Sequence, residues 1–429
     1  MEFRIKIPSN ANVLIHMLQN YGYSAYVVGG CVRDSLLRRN PNDWDICTSA
    51  TPDEMLNIFK DFRIIETGLK HGTITVLIDD EAYEVTTFRI DGEYSDNRRP
   101  DSVIFTDKLI EDLSRRDFTI NAMAYNDEEG LIDPFGGAKD ISNILIRCVG
   151  DAGTRFDEDA LRVLRALRFS CQLGFAIEAC TGLAILNKAA LLKNISNERI
   201  NTEFCKMLCT AHFWNIVLLY KDVFCQFIPE FCVITDTRRS MDCDISIWRI
   251  TLNALRENNS KDLVTKLAIF FHGLKNVFTD ELNVVDNIMT RLRFDNKTRH
   301  DVAELVRYYD NPIEPDSVNI KLWLNLIGPE QFKRLLEVKQ AIIKGYTWDI
   351  EQLEKIQSVI ELLNSISENR ECYSIKQLAV NGDDLISLGC NSGKNIGYIL
   401  NELLQLSIED NSFNNKEAQL NYVLTNYFI

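Results

Sequence analysis

The sequence predicts an α+β chain, with a head of mixed helix and strand and an all-helical remainder. Through residue 147, short β-branched or alternating runs interleave with helical patterns; from about residue 155 apolar positions recur at helical spacing, with no convincing strand until the end. At 429 residues the chain exceeds what one hydrophobic core serves, so two to four domains are expected. They divide as 1–147, 148–206, 207–315 and 316–429, with breaks near Pro229, at 235–244 and from Asp310 to Pro315.

The elements follow in order. Residues 9–22 read as an amphipathic helix with Val13, Leu14, Met17 and Leu18 on one side, opened by a Ser/Asn cap and stopped at Gly22. A strand over YVVGG, a short helix over VRDSLL and a strand carrying DWDI come next. Thr51-Pro52-Asp53-Glu54 opens another helix. FRIIET, TITVLID and AYEVTTFRI then read as strands, the last two joined by a hairpin at Asp79-Asp80-Glu81.

Composition narrows the function. The apolar fraction of 46% is ordinary for a folded globular protein, and no apolar run approaches a membrane span. No basic region followed by an apolar core opens the chain, so the protein is expected to stay in the cytoplasm. Its 12 cysteines form no CxxC or Cys/His zinc spacing and read as small apolar residues in a reducing compartment, Cys205 and Cys209 at helical spacing among them. Net charge −15 argues against generic nucleic-acid coating, while leaving room for a local basic cleft.

Chemistry concentrates in three clusters. In YVVGGCVRDSLLRRNPNDWDI, Gly29 and Gly30 allow close approach to a ligand, Arg33 brings a fixed cation, and Asp43 and Asp45 fall on one face of the predicted strand. Two adjacent carboxylates repel unless a cation lies between them, which points to Mg²⁺ with phosphate oxygens completing its shell. In DLSRRDFTINAMAYN, Arg115 and Arg116 suit triphosphate oxygens; Asp117 and Asn121, i and i+4 on a predicted helix, suit a ribose hydroxyl. In RFDEDALRVLRALRF, Arg162, Arg165 and Arg168 recur every three residues beside an apolar stripe of Leu161, Leu164 and Leu167. Asp159 precedes Arg162 by three residues. Such a carboxylate accepts from an exocyclic amino group while the guanidinium donates to the neighbouring ring nitrogen, an order that cytosine and adenine share and uracil and guanine invert.

The segments GGCVRD, DWDICTSATP, EVTTFRIDGEYSDNRRPDSV, RRDFTINAMAYN, DPFGGAKDI, RFDEDALRVLRALRF and ISNERINTE occur in this order and resemble the bacterial class II CCA-adding tRNA nucleotidyltransferases, a branch of the polymerase-β-like superfamily. The likeness is strong over roughly the first 205 residues and resumes at IKQLAVNGDDLISLG. It implies a nucleotidyltransferase head with a small mixed, antiparallel-rich sheet, then helical neck, body and tRNA-binding tail. It implies metal-dependent transfer of CMP and AMP from CTP and ATP to the 3′ end of tRNA. Asp43 and Asp45 would bind the metals, with Glu84 as a third catalytic carboxylate. Gly29, Gly30, Arg33, Arg116, Asp117 and Asn121 would hold the nucleotide, and Asp159, Arg162, Arg165 and Arg168 would bind and read its base.

CC addition alone and poly(A) polymerisation share these motifs, as would a non-catalytic RNA-binding descendant. CC-adding relatives have a shortened loop after the EVTTF strand, whereas Ile90 to Val103 is full length here, suiting a lever that retunes the site from C to A. His272 lacks an adjacent Asp, so no HD phosphohydrolase activity is expected, and no membrane or protein partner is implied.

Overall fold

The computed structural model describes residues 4–92, 94, 102–234, 246–276, 281–390 and 394–428. Its chain forms two compact units, Met1–Cys232 and Val233–Ile429.

The first unit opens with α1 (Ser9–Asn20), β1 (Ala25–Val28), α2 (Gly30–Leu36), β2 (Ile46–Thr48) and α3 (Pro52–Ile58). Strands β3 (Arg63–Ile65), β4 (Thr73–Ile78), β5 (Glu81–Thr87), β6 (Arg89–Asp91) and β7 (Val103–Phe105) come next, then α4 (Leu109–Ser114), β8 (Ala124–Asn126), β9 (Gly130–Ile132) and α5 (Gly137–Ser142). Seven strands make one sheet in the order β3-β4-β5-β2-β1-β8-β9. Only β2 and β5 run parallel; every other neighbouring pair is antiparallel. The central β1 explains its own apolar run: Ala25 and Val27 enter one core with Leu14, Leu18, Met55 and Phe59, while Tyr26 and Val28 enter another with Phe88 and Leu113. The hairpin falls where expected, with Asp79 and Asp80 both at positive φ, as a primed two-residue turn requires. Thr51 and Glu54 form a capping box before Pro52 at the start of α3.

Several expectations shift. The first helix lacks a side-chain cap, being preceded by Pro8, and its Val13 is 46% exposed; the buried stripe is Ala11, Leu14, Ile15 and Leu18. Strand β2 begins at Ile46, so Asp43 and Asp45 lie in the run leading into it, although the Val28 amide already donates to the Asp45 carbonyl (3.0 Å). Residues 115–126 are a 3₁₀ turn at Thr119–Asn121 and then β8, the other neighbour of β1, instead of a helix. Most of the candidate lever lies outside the described residues, as does the stretch 235–244; the lever's described ends pair as β6 and β7.

Past the head, a two-residue strand β10 (Leu145–Ile146) precedes α6 (Ala152–Glu158) and α7 (Leu161–Leu173), and pairs with β11 (Ala176–Ile177), a short strand inside the region expected to be all-helical. Helices α8 (Ala179–Lys188) and α9 (Asn197–Leu208) follow. Cys225 and Cys232 are joined by a disulfide and Cys180 is exposed, which corrects the uniform reading of the cysteines as free, buried groups. The sequence separation of seven offered no spacing signal for the bridge.

Every named element of the second unit is a helix among the described residues. The long helix Ser317–Tyr346 bends at Gly328 (φ 77°, ψ 164°), a conformation open essentially to glycine alone, immediately before Pro329. Val380, Leu385, Ile399, Leu403 and Val423 form a separate small core at the end of the chain. His272 is buried against Tyr309, its Nδ1 2.7 Å from the Ile269 carbonyl, as a core histidine. No described helix is long and apolar enough to cross a membrane.

Candidate active site

Strand β1 ends at the glycine turn. Gly29 has φ +82°, and its amide donates to the Met123 carbonyl (3.1 Å). A Cβ there would lie 3.0 Å from Arg116 Nη1, so the turn needs glycine both for its backbone and for the guanidinium beside it. Gly30 starts α2 and brings Arg33 back over the turn. Arg33 Nε and Nη2 donate to Asp34 (2.8 and 2.9 Å), and Nη1 donates to Asn121 Oδ1 (2.7 Å).

The acidic side is arranged differently. Trp44 packs into the head core, which leaves Asp43 and Asp45 on the opposite, solvent-facing side of the run. The β2–β5 register, Ile46 against Val85, sets Glu84 beside Asp45. Asp45 meets solvent but is crowded by protein. That desolvation, and the charges of Glu84 and Asp43 against an opposing Arg116, raise its pKa above the ordinary aspartate value. Glu84 stands as a charged neighbour of Asp45, and among the described residues no group of three His, Cys, Asp or Glu side chains is placed to hold a metal ion. Two hard carboxylates in mutual repulsion still fit a divalent cation whose remaining positions go to water and phosphate. Burial and Asp45 push the Cys31 thiol up to about 12, which removes it as a nucleophile at neutral pH.

The basic side hangs on buried carboxylates. Asp112 takes Arg115 at 2.7 Å and Arg116 at 3.3 Å. Asp117 accepts from Arg165 Nε (2.8 Å) and Asn121 Nδ2 (3.3 Å). Burial alone would raise the pKa of Asp117; Arg165, joined by Arg162 and Asn121, outweighs it and holds the carboxyl below its ordinary value. Asp117 and Asn121 therefore do meet, across a 3₁₀ turn where a helix face was expected.

Asp159 and Arg162 sit on either side of a helix break. Asp159 ends α6, its carboxylate accepting from the Leu161 amide (3.1 Å) and pairing with Arg199 on α9 (3.0 Å). Arg162 Nη1 donates to Glu158 and Nη2 to the Arg115 carbonyl (3.0 Å). The two side chains do not pair with each other, and among the described residues the hydrogen bonds of the Arg162 guanidinium run from Nη1 and Nη2. Arg168 Nε donates to Glu203 on α9, and Nη1 to Gln172 (2.8 Å). Leu161, Leu164 and Leu167 are buried as expected.

These sides converge on a cleft of about 620 Å³ whose lining includes Gly30, Arg33, Asp43, Asp45, Arg168 and Phe169. Asp112, Phe169, Arg199 and Glu203 shape the site without having been read from the residues. Asp112, three and four residues ahead of its two arginines, carried a local signal; Arg199 and Glu203 are 40 and 35 residues from their partners and carried none.

A model of the poly(A) polymerase head domain matches residues 25–147, and one of tRNA nucleotidyltransferase domain 2 matches 274–423. The CCA-adding enzyme of Geobacillus thermodenitrificans is 53% identical over 195 residues, 46% of this chain and 48% of that one, so this match spans about half the relative's length. The CCA-adding enzyme of Enterococcus faecalis is 32% identical over 419 residues, 95% of this chain and 94% of that one. Among solved structures, the Bacillus stearothermophilus CCA-adding enzyme in complex with CTP superposes with a TM-score of 0.76 at 30% identity, covering 98% of each chain. The Thermotoga maritima CCA-adding enzyme complexed with tRNA, at 22% identity and a TM-score of 0.64 over 99% of each chain, shares the fold.

Proposed function

Because the chain belongs to the CCA-adding enzymes, we propose that it adds CMP, CMP and AMP in turn to the 3′ end of tRNA, drawing on CTP and ATP and releasing pyrophosphate. The observation that carries this reading is one cleft lined by the open carboxylates Asp43 and Asp45 and the guanidiniums of Arg33 and Arg168. We propose Mg²⁺ as the metal, held by Asp43 and Asp45. When bound, it would lower the pKa of the attacking hydroxyl and offset charge on the triphosphate and the departing pyrophosphate.

The chain's own residues bind and orient. Three of the five N–H groups of Arg33 are engaged, two by Asp34 and one by Asn121, which leaves two for phosphate oxygens. Gly29 and Gly30 bring backbone close to the same phosphates, and Arg116 adds positive charge behind them. Asp117 and Asn121 serve the ribose side. Asp159 accepts the amino group of cytosine or adenine while Arg162 donates to the adjacent ring nitrogen; Arg165 and Arg168 hold the nucleotide beside that edge. Glu84 concentrates negative charge at Asp45. Residues 1–147 form the catalytic head, 148–206 the base-reading neck, 207–315 the body and 316–429 the tRNA-binding tail, and the enzyme works in the cytoplasm.

The direct test offers tRNA lacking CCA, ending in C, or ending in CC, each with CTP, ATP or both, and sequences the products. Stepwise completion to CCA is expected. Arrest at CC, or runs of A, would replace this reading with CC addition or poly(A) polymerisation.

A further inference from the structure

Phe169 has no part in the reading above, yet it stands where the site's cations meet. Its ring lies 4.1 Å from the guanidinium carbon of Arg168, 5.2 Å from that of Arg33 and 5.4 Å from that of Arg165. These arginines come from two elements, Arg33 from α2 in the head and Arg165 and Arg168 from α7. Phe118 holds the ring edge-on at 5.6 Å, and Phe169 itself is 6% exposed while lining the cleft. The packing fixes the ring; the cations gather about it.

Three like charges gathered about one ring repel. Each guanidinium has its own carboxylate or amide partners, Asp34 and Asn121 for Arg33, Asp117 for Arg165, and Glu203 and Gln172 for Arg168. Burial presses the Arg168 guanidinium below its ordinary pKa; Glu203 opposes that and Arg165 adds to it. The negative face of an aromatic ring attracts guanidinium, so Phe169 offers all three one common attraction that their separate partners do not supply. An aliphatic side chain of similar bulk would fill the space and leave the cations without that common attraction.

We infer that Phe169 is a positioning residue for nucleotide binding, whose π face gathers Arg33, Arg165 and Arg168 into one anion-receiving array that joins the triphosphate side of the site to the base side. This rests on the nucleotidyltransferase reading.

The test changes the ring's charge distribution and keeps its shape. Pentafluorophenylalanine placed at position 169 in the full chain keeps the ring's shape and reverses its quadrupole. Equilibrium dialysis with CTP alone should show binding weakened about five- to thirtyfold, the span expected for partly desolvated cation–π contacts. In extension assays KM for CTP and ATP should rise by the same factor, KM for tRNA should hold, and thermal melting should match the unchanged protein. Phe169→Tyr should retain CTP affinity and Phe169→Leu should lose it. CTP affinity within twofold of the unchanged protein for the pentafluoro variant would overturn the inference, as would equal behaviour of the Tyr and Leu variants. If the unchanged protein binds CTP and fails to extend tRNA, the activity assignment falls and the positioning role stands. If it does not bind CTP at all, both fall.

Discussion

The two walls of the cleft handle charge in opposite ways. On the acidic side Asp43 and Asp45, with Glu84 beside them, are exposed, and among the described residues no hydrogen bond or ion pair holds any of their side chains. On the basic side Arg33 and Arg168, which line the cleft, and Arg162 and Arg165 behind them are each tied to a carboxylate. A flexible arginine loses side-chain entropy on capture of a ligand, whereas one already fixed by a buried partner loses little. A carboxylate meant for a metal gains nothing from a resident cation. The acidic wall is thus strained until something positive arrives; the basic wall is settled beforehand and lends only its spare hydrogens.

The sharpest break in this comparison comes from the acidic wall. Asp43→Ala or Asp45→Ala should lower kcat for both CMP and AMP addition by about 10³-fold or more while CTP binding persists, because the variant removes charge compensation for the reacting groups and leaves the arginines in place. Radiolabelled extension assays check this, and undiminished incorporation would refute the metal assignment. Next in size is base choice. Asp159→Ala or Arg162→Ala should admit UTP and GTP, narrowing discrimination by roughly 10- to 100-fold, the equivalent of about 1–3 kcal/mol per lost contact. Unchanged selectivity in competition assays would remove these residues from base reading.

A smaller effect separates settled from strained carboxylates by pH. Asp112 and Asp117 are held below the ordinary aspartate pKa against the pull of burial, by Arg116 and Arg115 in one case and Arg165 in the other. A depressed native pKa stabilises the fold fully above the unfolded value of about 3.9, and that contribution is lost as pH falls through the native value. Melting temperature should therefore drop as pH falls below about 4, and Asp117→Asn should flatten that slope while lowering stability at pH 7. Asp45 shifts the other way, so Asp45→Asn should leave the fold's stability at pH 7 unchanged or raise it. Equal acid slopes for the unchanged protein and Asp117→Asn would show that the pair with Arg165 is not settled in the native state.

Local chemistry was legible in the sequence and long-range pairing was not. The glycine turn, Arg33 and the aspartate pair are written within seventeen residues, and the structure keeps them on one cleft. The i, i+4 spacing of Asp117 and Asn121 indicated proximity while misnaming its cause, since a 3₁₀ turn also brings such residues together. The spacing of Asp159 and Arg162 sets them side by side to face one base edge, but it gave no sign of the break at Asp159, across which Asp159 pairs with Arg199 and Arg162 with Glu158. The buried role of Asp112 looks in sequence like an ordinary surface ion pair, because burial depends on the sheet folded over it.

The helix carrying Arg162, Arg165 and Arg168 restricts how this segment can change in length. Each residue of an α-helix advances about 1.5 Å and turns about 100°. A single inserted residue between Arg162 and Arg168 would swing every later side chain a quarter-turn or more. Arg168 would leave Glu203 and an apolar neighbour would turn outward. Substitutions here can be absorbed one at a time, but an insertion or deletion cannot, so the spacing of the segment is held more rigidly than its composition.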